Sequence, residues 1–225
     1  MIKLQKLTQQ EIINFAEADF NKSVVNDTQS EMAIPSYLHP NPLVRWLMWR
    51  RYEVIADWLN VDEQSHVLEF GCGVGIFLPS LCSTGSTIYA LDLEPSIAKK
   101  LSDEKELKVN FIESLSEVED CSLDAVVAAD VLEHLQDVSH TIDIFIQKLK
   151  PGGRLMVSGP TENQTYKLFR ILAGFMGKGD YHFSNIDLLI PIIKNSGFQL
   201  IKEKELPYMF MPTLFRIVEF EKARE

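Results

Sequence analysis

The chain predicts a doubly wound α/β fold, and three observations carry that prediction. Short apolar runs at 67–70, 87–92, 108–112, 124–129 and 154–158 read as strands, with helical stretches at 75–83, 95–102 and 139–149 between them. Several of the runs, such as DAVVAA and RLMVSG, are apolar throughout, as expected where helices cover both faces of a sheet. The run VLEFGCGVG, from Val67 to Gly75, ends in glycines at 71, 73 and 75, a buried strand delivered to a tight turn.

At the amino end, Thr8 and Glu11 form a capping-box pattern ahead of Ile12, Ile13, Ala16 and Phe20 at helical spacing. Residues 21–40 are polar with prolines at 35 and 40 and read as a loop. Asn41-Pro42 reads as an N-cap with proline at the first helical position, opening a helix to about Leu59. Leu43, Leu47, Val54 and Trp58 form its expected apolar stripe, and Arg50 falls on that stripe. Arg50 there either meets a buried anion, such as a ligand carboxylate or Glu69, or lays its stem along the apolar face. Trp46, Met48 and Trp49, flanked by Arg45, Arg50 and Arg51, suit core packing better than a lipid surface.

Pro151-Gly152-Gly153 is expected to end the helix at 139–149. A helix over 162–176 stopping at Gly177 follows, then one opened by a Ser184–Asp187 capping box, with Pro191 as a possible kink, and closed before Gly197. FQLIKEKEL and LFRIVEFEKA read as a terminal hairpin, which makes the sheet mixed at one end.

Composition sets outer bounds. The 225 residues suffice for one α/β unit, and the net charge of −10 argues against nucleic acid as the main partner. The three cysteines show no C-x-x-C spacing, which suits a reducing compartment rather than a disulfide or zinc framework. The first residues lack the apolar core of a signal peptide and no run is long enough to span a membrane, so a cytoplasmic protein without stable membrane insertion is expected. Oligomeric state is not legible.

The glycine turn followed by a helix start is the geometry of a nucleotide-cofactor site. Asp92 lies about twenty residues on, at the end of the next strand, where a carboxylate accepts from both ribose hydroxyls. Ile76 stands where a dinucleotide fingerprint wants its third glycine, and Glu69 before the turn would repel a pyrophosphate. A cationic cofactor with an amino-acid end fits better.

In these motifs the chain resembles the class I S-adenosylmethionine-dependent methyltransferases, over roughly residues 40–160 and again in the terminal hairpin. LEFGCGVG resembles that family's first motif, and YALDLEP its acidic second-strand motif, which puts Asp92 on the ribose and Leu93 beside the adenine. NFIESL resembles the adenine-edge segment, implicating Glu113 and Ser114; SLDAVVAADVLEHL resembles the fourth-strand motif facing the methyl group, and LKPGGRLMVSGP the segment after it. The implied cofactor set is Glu69, Gly71, Gly73, Gly75, Asp92, Leu93, Glu113, Ser114 and Asp130. The resemblance also implies a Rossmann-like sheet of seven mostly parallel strands with an antiparallel strand at the carboxyl end. It implies a helical cover over residues 1–60, a cofactor-binding core over 61–160, a substrate-side insertion over 161–182, and a last helix and hairpin over 183–225.

His134, just past the fourth strand, is the candidate catalytic group, as general base or acceptor-orienting residue; the alternative is a structural histidine at a helix end. Asp130, Glu133 and His134 resemble a metal-linked triad of ubiquinone-pathway O-methyltransferases, but many relatives carry Glu-His without metal and no metal is assigned. Tyr181-His182 serves either as an acceptor-side lid or as a loop anchor, and Cys72 fills space in the glycine turn. The expected function is methyl transfer to a small-molecule or lipid-like acceptor. The alternatives are an NAD-dependent oxidoreductase and a non-catalytic S-adenosylmethionine-binding protein.

Overall fold

The computed structural model describes residues 2–20, 33–174, 182–207 and 211–224, with backbone only for residues 16–20 and 33. Seven strands form one sheet: β1 (His66–Phe70), β2 (Thr87–Leu91), β3 (Val109–Phe111), β4 (Leu123–Ala129), β5 (Leu149–Pro160), β6 (Phe198–Leu206) and β7 (Phe215–Lys222). Their order is β3-β2-β1-β4-β5-β7-β6. All neighbouring pairs are parallel except those made by β7, which runs antiparallel to both β5 and β6. The sheet is therefore the predicted Rossmann-like one, with its order reversing between β1 and β4.

Eight helices accompany the strands among the described residues: α1 (Gln9–Phe20), α2 (Ala33–Leu38), α3 (Pro42–Trp58), α4 (Leu78–Cys82), α5 (Ser96–Glu104), α6 (Val138–Lys148), α7 (Gln164–Leu172) and α8 (Ile186–Asn195). Alternate strand residues point to opposite faces, so each apolar strand feeds two cores. Val67, Ala125, Val127, Met156 and Ile217 join one core with residues of α1, α3, α4 and α5. Leu68, Val126, Ala128, Leu155, Val157 and Val218 join the other with residues of α6 and α8. Each of these strand residues is fully buried.

Local chemistry fixes several boundaries as the sequence predicts. Glu11 accepts from the Thr8 backbone N–H at 2.7 Å, and the Thr8 hydroxyl accepts from the Glu11 N–H at 3.2 Å. Asn41 caps α3 by accepting from the Leu43 N–H, with Pro42 in the first turn. Other boundaries differ. Within the stretch expected as loop, α2 forms, with Pro35 in the first turn where its missing N–H costs nothing. The cap of α8 is Asn185 rather than Ser184, because the Asn185 side chain accepts from both Asp187 and Leu188 N–H groups. The Pro-Gly-Gly run does not merely stop α6; β5 starts at Leu149 and runs through it, with Gly152 at φ 78°. The expected helix stop at Gly177 lies outside the described residues.

The most consequential difference is the phase of α3. Its buried residues include Val44, Leu47, Met48, Arg51, Val54 and Ile55, while Leu43 is 56% exposed. The inward face is rotated by about one residue, so Arg51 rather than Arg50 points into the protein. Arg50 pairs with Glu53 at 2.6 Å on the outer side. Hydropathy alone does not register the reason. Arg51 gains an ion pair with Asp130 and lies 4.8 Å from the Phe215 ring centroid, which offsets the cost of burying a cation.

Candidate functional site

The site lies at the carboxyl ends of β1, β2, β4 and β5, where the strand order reverses and open α/β sheets leave a crevice. After β1 the chain turns through Gly71, Gly73 and Gly75, at φ 74°, 52° and 79°, values that side chains rarely tolerate. The three glycines are not equivalent. A Cβ at Gly71 would lie 2.3 Å from Val131, and one at Gly75 would lie 3.1 Å from Ala98, so both are packing positions. A Cβ at Gly73 would meet nothing within 4 Å, so this backbone borders open space.

Asp92 follows β2. Its carboxylate accepts from the Gly73 N–H at 2.7 Å and the Glu94 N–H at 3.0 Å. The glycine turn and the second-strand acid are thereby locked together, with lone pairs left for a diol. Leu93, next in line, is fully exposed, an apolar side chain lying open beside that carboxylate.

Glu113 and Ser114 follow β3, and both are exposed. Their N–H groups donate to Glu117, at 2.7 and 2.9 Å, and Ser114 caps the short turn Leu115–Glu117 in a capping box. Their backbone donors are thus directed toward Glu117.

Glu69 sits on β1 behind the glycines and is 2% exposed. Burial, assisted by the nearby Asp92 charge, raises its carboxyl well above the usual range. Its Oε2 makes no hydrogen bond among the described residues. A buried acid with an orphan oxygen is an acceptor awaiting a donor. Cys72 beside it is buried, and the same desolvation raises its thiol, so it packs rather than attacks.

Asp130 ends β4 in a left-handed conformation, φ 53°. Its N–H donates to Ser158 C=O at 2.9 Å, and it accepts from the Ser158 hydroxyl at 3.1 Å. Its other oxygen pairs with Arg51, whose guanidinium also reaches Tyr37 and Met48. The guanidinium of α3 is thus brought to the strand edge beside the glycine turn. Sequence reasoning named Asp130 and missed Arg51, because it phased the helix by apolar residues alone.

Past Asp130, residues Leu132–His134 make one short turn. Glu133 is 1% exposed, and desolvation pushes its carboxyl up to about 7; its Oε2 makes no hydrogen bond among the described residues. The Glu133 C=O accepts from Phe183 N–H at 2.8 Å and Ser184 N–H at 3.3 Å, tying this turn to the start of α8. His134 is exposed, and its ring meets that of His182 edge-on with centroids 4.6 Å apart. His182 in turn bonds Glu162 through Nδ1 at 2.7 Å. Tyr181, the other half of the expected lid pair, lies outside the described residues. Glu133, His134 and His182 bring one donor atom each within 4.8 Å of one another, a grouping able to hold a metal ion or share a proton. Asp130, the third member of the triad named from sequence, is turned to Arg51 instead.

No described helix is long and apolar enough to cross a membrane. The sequence profile of the methyltransferase domain family matches residues 45–203. A ubiquinone biosynthesis O-methyltransferase of Xanthomonas axonopodis pv. citri (strain 306) is 30% identical over 155 residues. That alignment covers 60% of this chain and 63% of that protein, so the match spans about three-fifths of the relative's length. Among solved structures, the cyclase SpnF superposes with a TM-score of 0.66 at 16% identity, covering 100% of this chain and 99% of that one. A SAM-dependent methyltransferase from Aquifex aeolicus gives 0.65 at 14% identity, covering 97% and 100%. At such identities the two structures establish the fold.

Proposed function

Because the chain belongs to the methyltransferase domain family, we propose that it transfers a methyl group from S-adenosylmethionine to the oxygen of a small hydroxyl-bearing molecule. The observation that carries this is the coupling of Gly73 to Asp92 in front of buried Glu69, whose Oε2 makes no hydrogen bond among the described residues. A ribose diol would accept hydrogen bonds and donate to Asp92; an ammonium group would satisfy Glu69; the open side of Gly73 leaves room for the ligand backbone. Arg51, already paired with Asp130, is the guanidinium nearest the turn for a ligand carboxylate, one of the roles the sequence left open for Arg50. Leu93 is exposed for an apolar ring face, with Glu113 and Ser114 beyond it.

The cofactor supplies an electrophilic methyl on a sulfonium, so the leaving group is already activated. What remains for the protein is alignment of acceptor and methyl, and removal of the hydroxyl proton. His134 and, 4.6 Å from it between ring centroids, His182 stand at the carboxyl end of β4, on the side from which an acceptor would approach. The oxygen assignment draws on the similar O-methyltransferases of the ubiquinone pathway. We read residues 1–60 as a cover, 61–160 as the cofactor core, 161–182 as the acceptor-side insertion and 183–225 as the closing helix and hairpin. The unpaired cysteines suit a cytoplasmic setting.

Incubation with methyl-labelled S-adenosylmethionine and three probes, catechol, aniline and thiophenol, tests the reading. Label on the catechol oxygen is expected. Label only on nitrogen or sulfur overturns the oxygen assignment, and no transfer to any of the three with cofactor bound overturns the small-hydroxyl reading.

A further inference from the structure

We propose that His182, oriented by Glu162, is the group that takes the proton from the acceptor hydroxyl, with His134 as its neighbour rather than the base. The inference rests on the methyl-transfer reading above. Glu162 lies two residues past the end of β5 and His182 four residues before α8, twenty positions apart in the chain. The fold brings Glu162 Oε1 to 2.7 Å from His182 Nδ1. Both side chains are largely shielded, at 19% and 13% exposure, so the bond is kept from competing water.

A carboxylate on Nδ1 decides what the ring can do. It accepts the Nδ1 proton, so a neutral His182 carries its lone pair on Nε2 and has a partner for the cation formed when that lone pair is used. Glu162 adopts φ 52°, a left-handed conformation that non-glycine residues rarely take. Such a conformation persists only where the surrounding structure holds the residue in place. Among the described residues, the groups facing the ring are Glu162, His134 at 4.6 Å between centroids, and Glu133 in the same donor grouping. Phe183 and Ser184 bond back to the Glu133 carbonyl, so His182 is held at the carboxyl edge of β4.

The step balances simply. The acceptor O–H bond breaks and its proton passes to His182 Nε2. The oxygen lone pair forms the new C–O bond as the methyl–sulfur bond breaks, and that electron pair stays on sulfur. The proton then leaves His182 to solvent. Glu162 touches no reacting atom; it is a positioning residue.

Two readouts test this on the full chain. The first needs no acceptor. Two-bond proton–nitrogen correlation spectra of the histidine-labelled chain with S-adenosylhomocysteine bound, assigned through His182→Gln, should show the His182 proton on Nδ1 at pH 8. Glu162→Gln should move it toward Nε2, and Glu162→Asp should restore it. A proton on Nε2 in the wild type, or a ring indifferent to Glu162→Gln, overturns the proposal.

The second is turnover of catechol. His182→Gln should lower kcat at least 100-fold, the range of a general base, with S-adenosylhomocysteine affinity within two-fold. Glu162→Gln should lower kcat about ten-fold without changing KM. Undiminished turnover in His182→Gln overturns the proposal. So does activity abolished by EDTA and restored by Mg²⁺, since the lone pair would then be held by a metal. Should His182→Gln fail to fold, the two Glu162 variants and the wild-type tautomer decide. If S-adenosylhomocysteine does not bind at all, the methyl-transfer reading fails; if it binds but the tautomer is wrong, only His182 fails.

Discussion

Asp92 holds two parts of the site together, because one carboxylate accepts from the Gly73 N–H across the crevice and from the Glu94 N–H on its own side. Its remaining lone pairs are the acceptors a ribose needs. Asp92→Ala should weaken S-adenosylhomocysteine binding at least ten-fold, from the loss of charge-assisted bonds of about 1.5–3 kcal/mol each. Calorimetry on a folded variant checks this, and an unchanged affinity would show the diol lies elsewhere. The two adjacent arginines make a sharper contrast. Arg50 pairs with Glu53 near the surface, whereas Arg51 is 6% exposed against Asp130, Tyr37 and Phe215. Urea unfolding should show Arg50→Ala costing less than about 1 kcal/mol. Arg51→Ala should cost about 2 kcal/mol or more, because it strips a partly buried carboxylate of its partner. Equal costs would contradict the phase of α3.

At the scale of elements, the glycine turn separates packing from ligand room. Gly71→Ala drives a Cβ into Val131 and should lower stability by several kcal/mol, read as a falling Tm. Gly73→Ala meets no such clash; it should cost only the backbone term of about 1–2 kcal/mol while weakening cofactor affinity. Equal effects of the two on affinity per unit of stability would contradict the distinction. The elements also show what a sequence carries. Asn41-Pro42 and Thr8–Glu11 were legible because caps act within three residues. The seven mostly parallel strands with an antiparallel end followed from the resemblance of five motifs and from the terminal hairpin, whereas their order is seen only in the structure. Helix α2 was hidden by prolines that usually break helices but are harmless in a first turn. The rotation of α3 was hidden because its determinant, Asp130, lies 79 positions along the chain. Glu162 carried no local signal at all, since its contact with His182 depends on the end of β5 lying beside the segment that leads into α8.

For the whole molecule, burial of acids at the crevice links fold stability to pH. Glu133 is pushed up to about 7 by desolvation, above its ordinary 4.5, so the folded state holds a proton that the unfolded state has released between those values. Stability from this group is fully present below about 4.5 and is lost as pH rises through about 7. Glu133→Gln should flatten that fall by about 1–3 kcal/mol between pH 4.5 and 8, measured by urea unfolding across pH. An identical slope would mean Glu133 is charged in the folded protein. The architecture itself names no acceptor, since a cyclase and a methyltransferase share it across nearly the whole chain. The residues proposed to single out the cofactor are the small set at the strand ends: open Gly73, doubly bonded Asp92, inward Arg51, and Glu69, whose Oε2 makes no hydrogen bond among the described residues. The most direct test is a calorimetric titration of the purified full chain with S-adenosylhomocysteine and, separately, with NADH. The account predicts one saturable site for S-adenosylhomocysteine, weakened at least ten-fold by Asp92→Ala, and no binding of NADH. Binding of NADH without S-adenosylhomocysteine would contradict it.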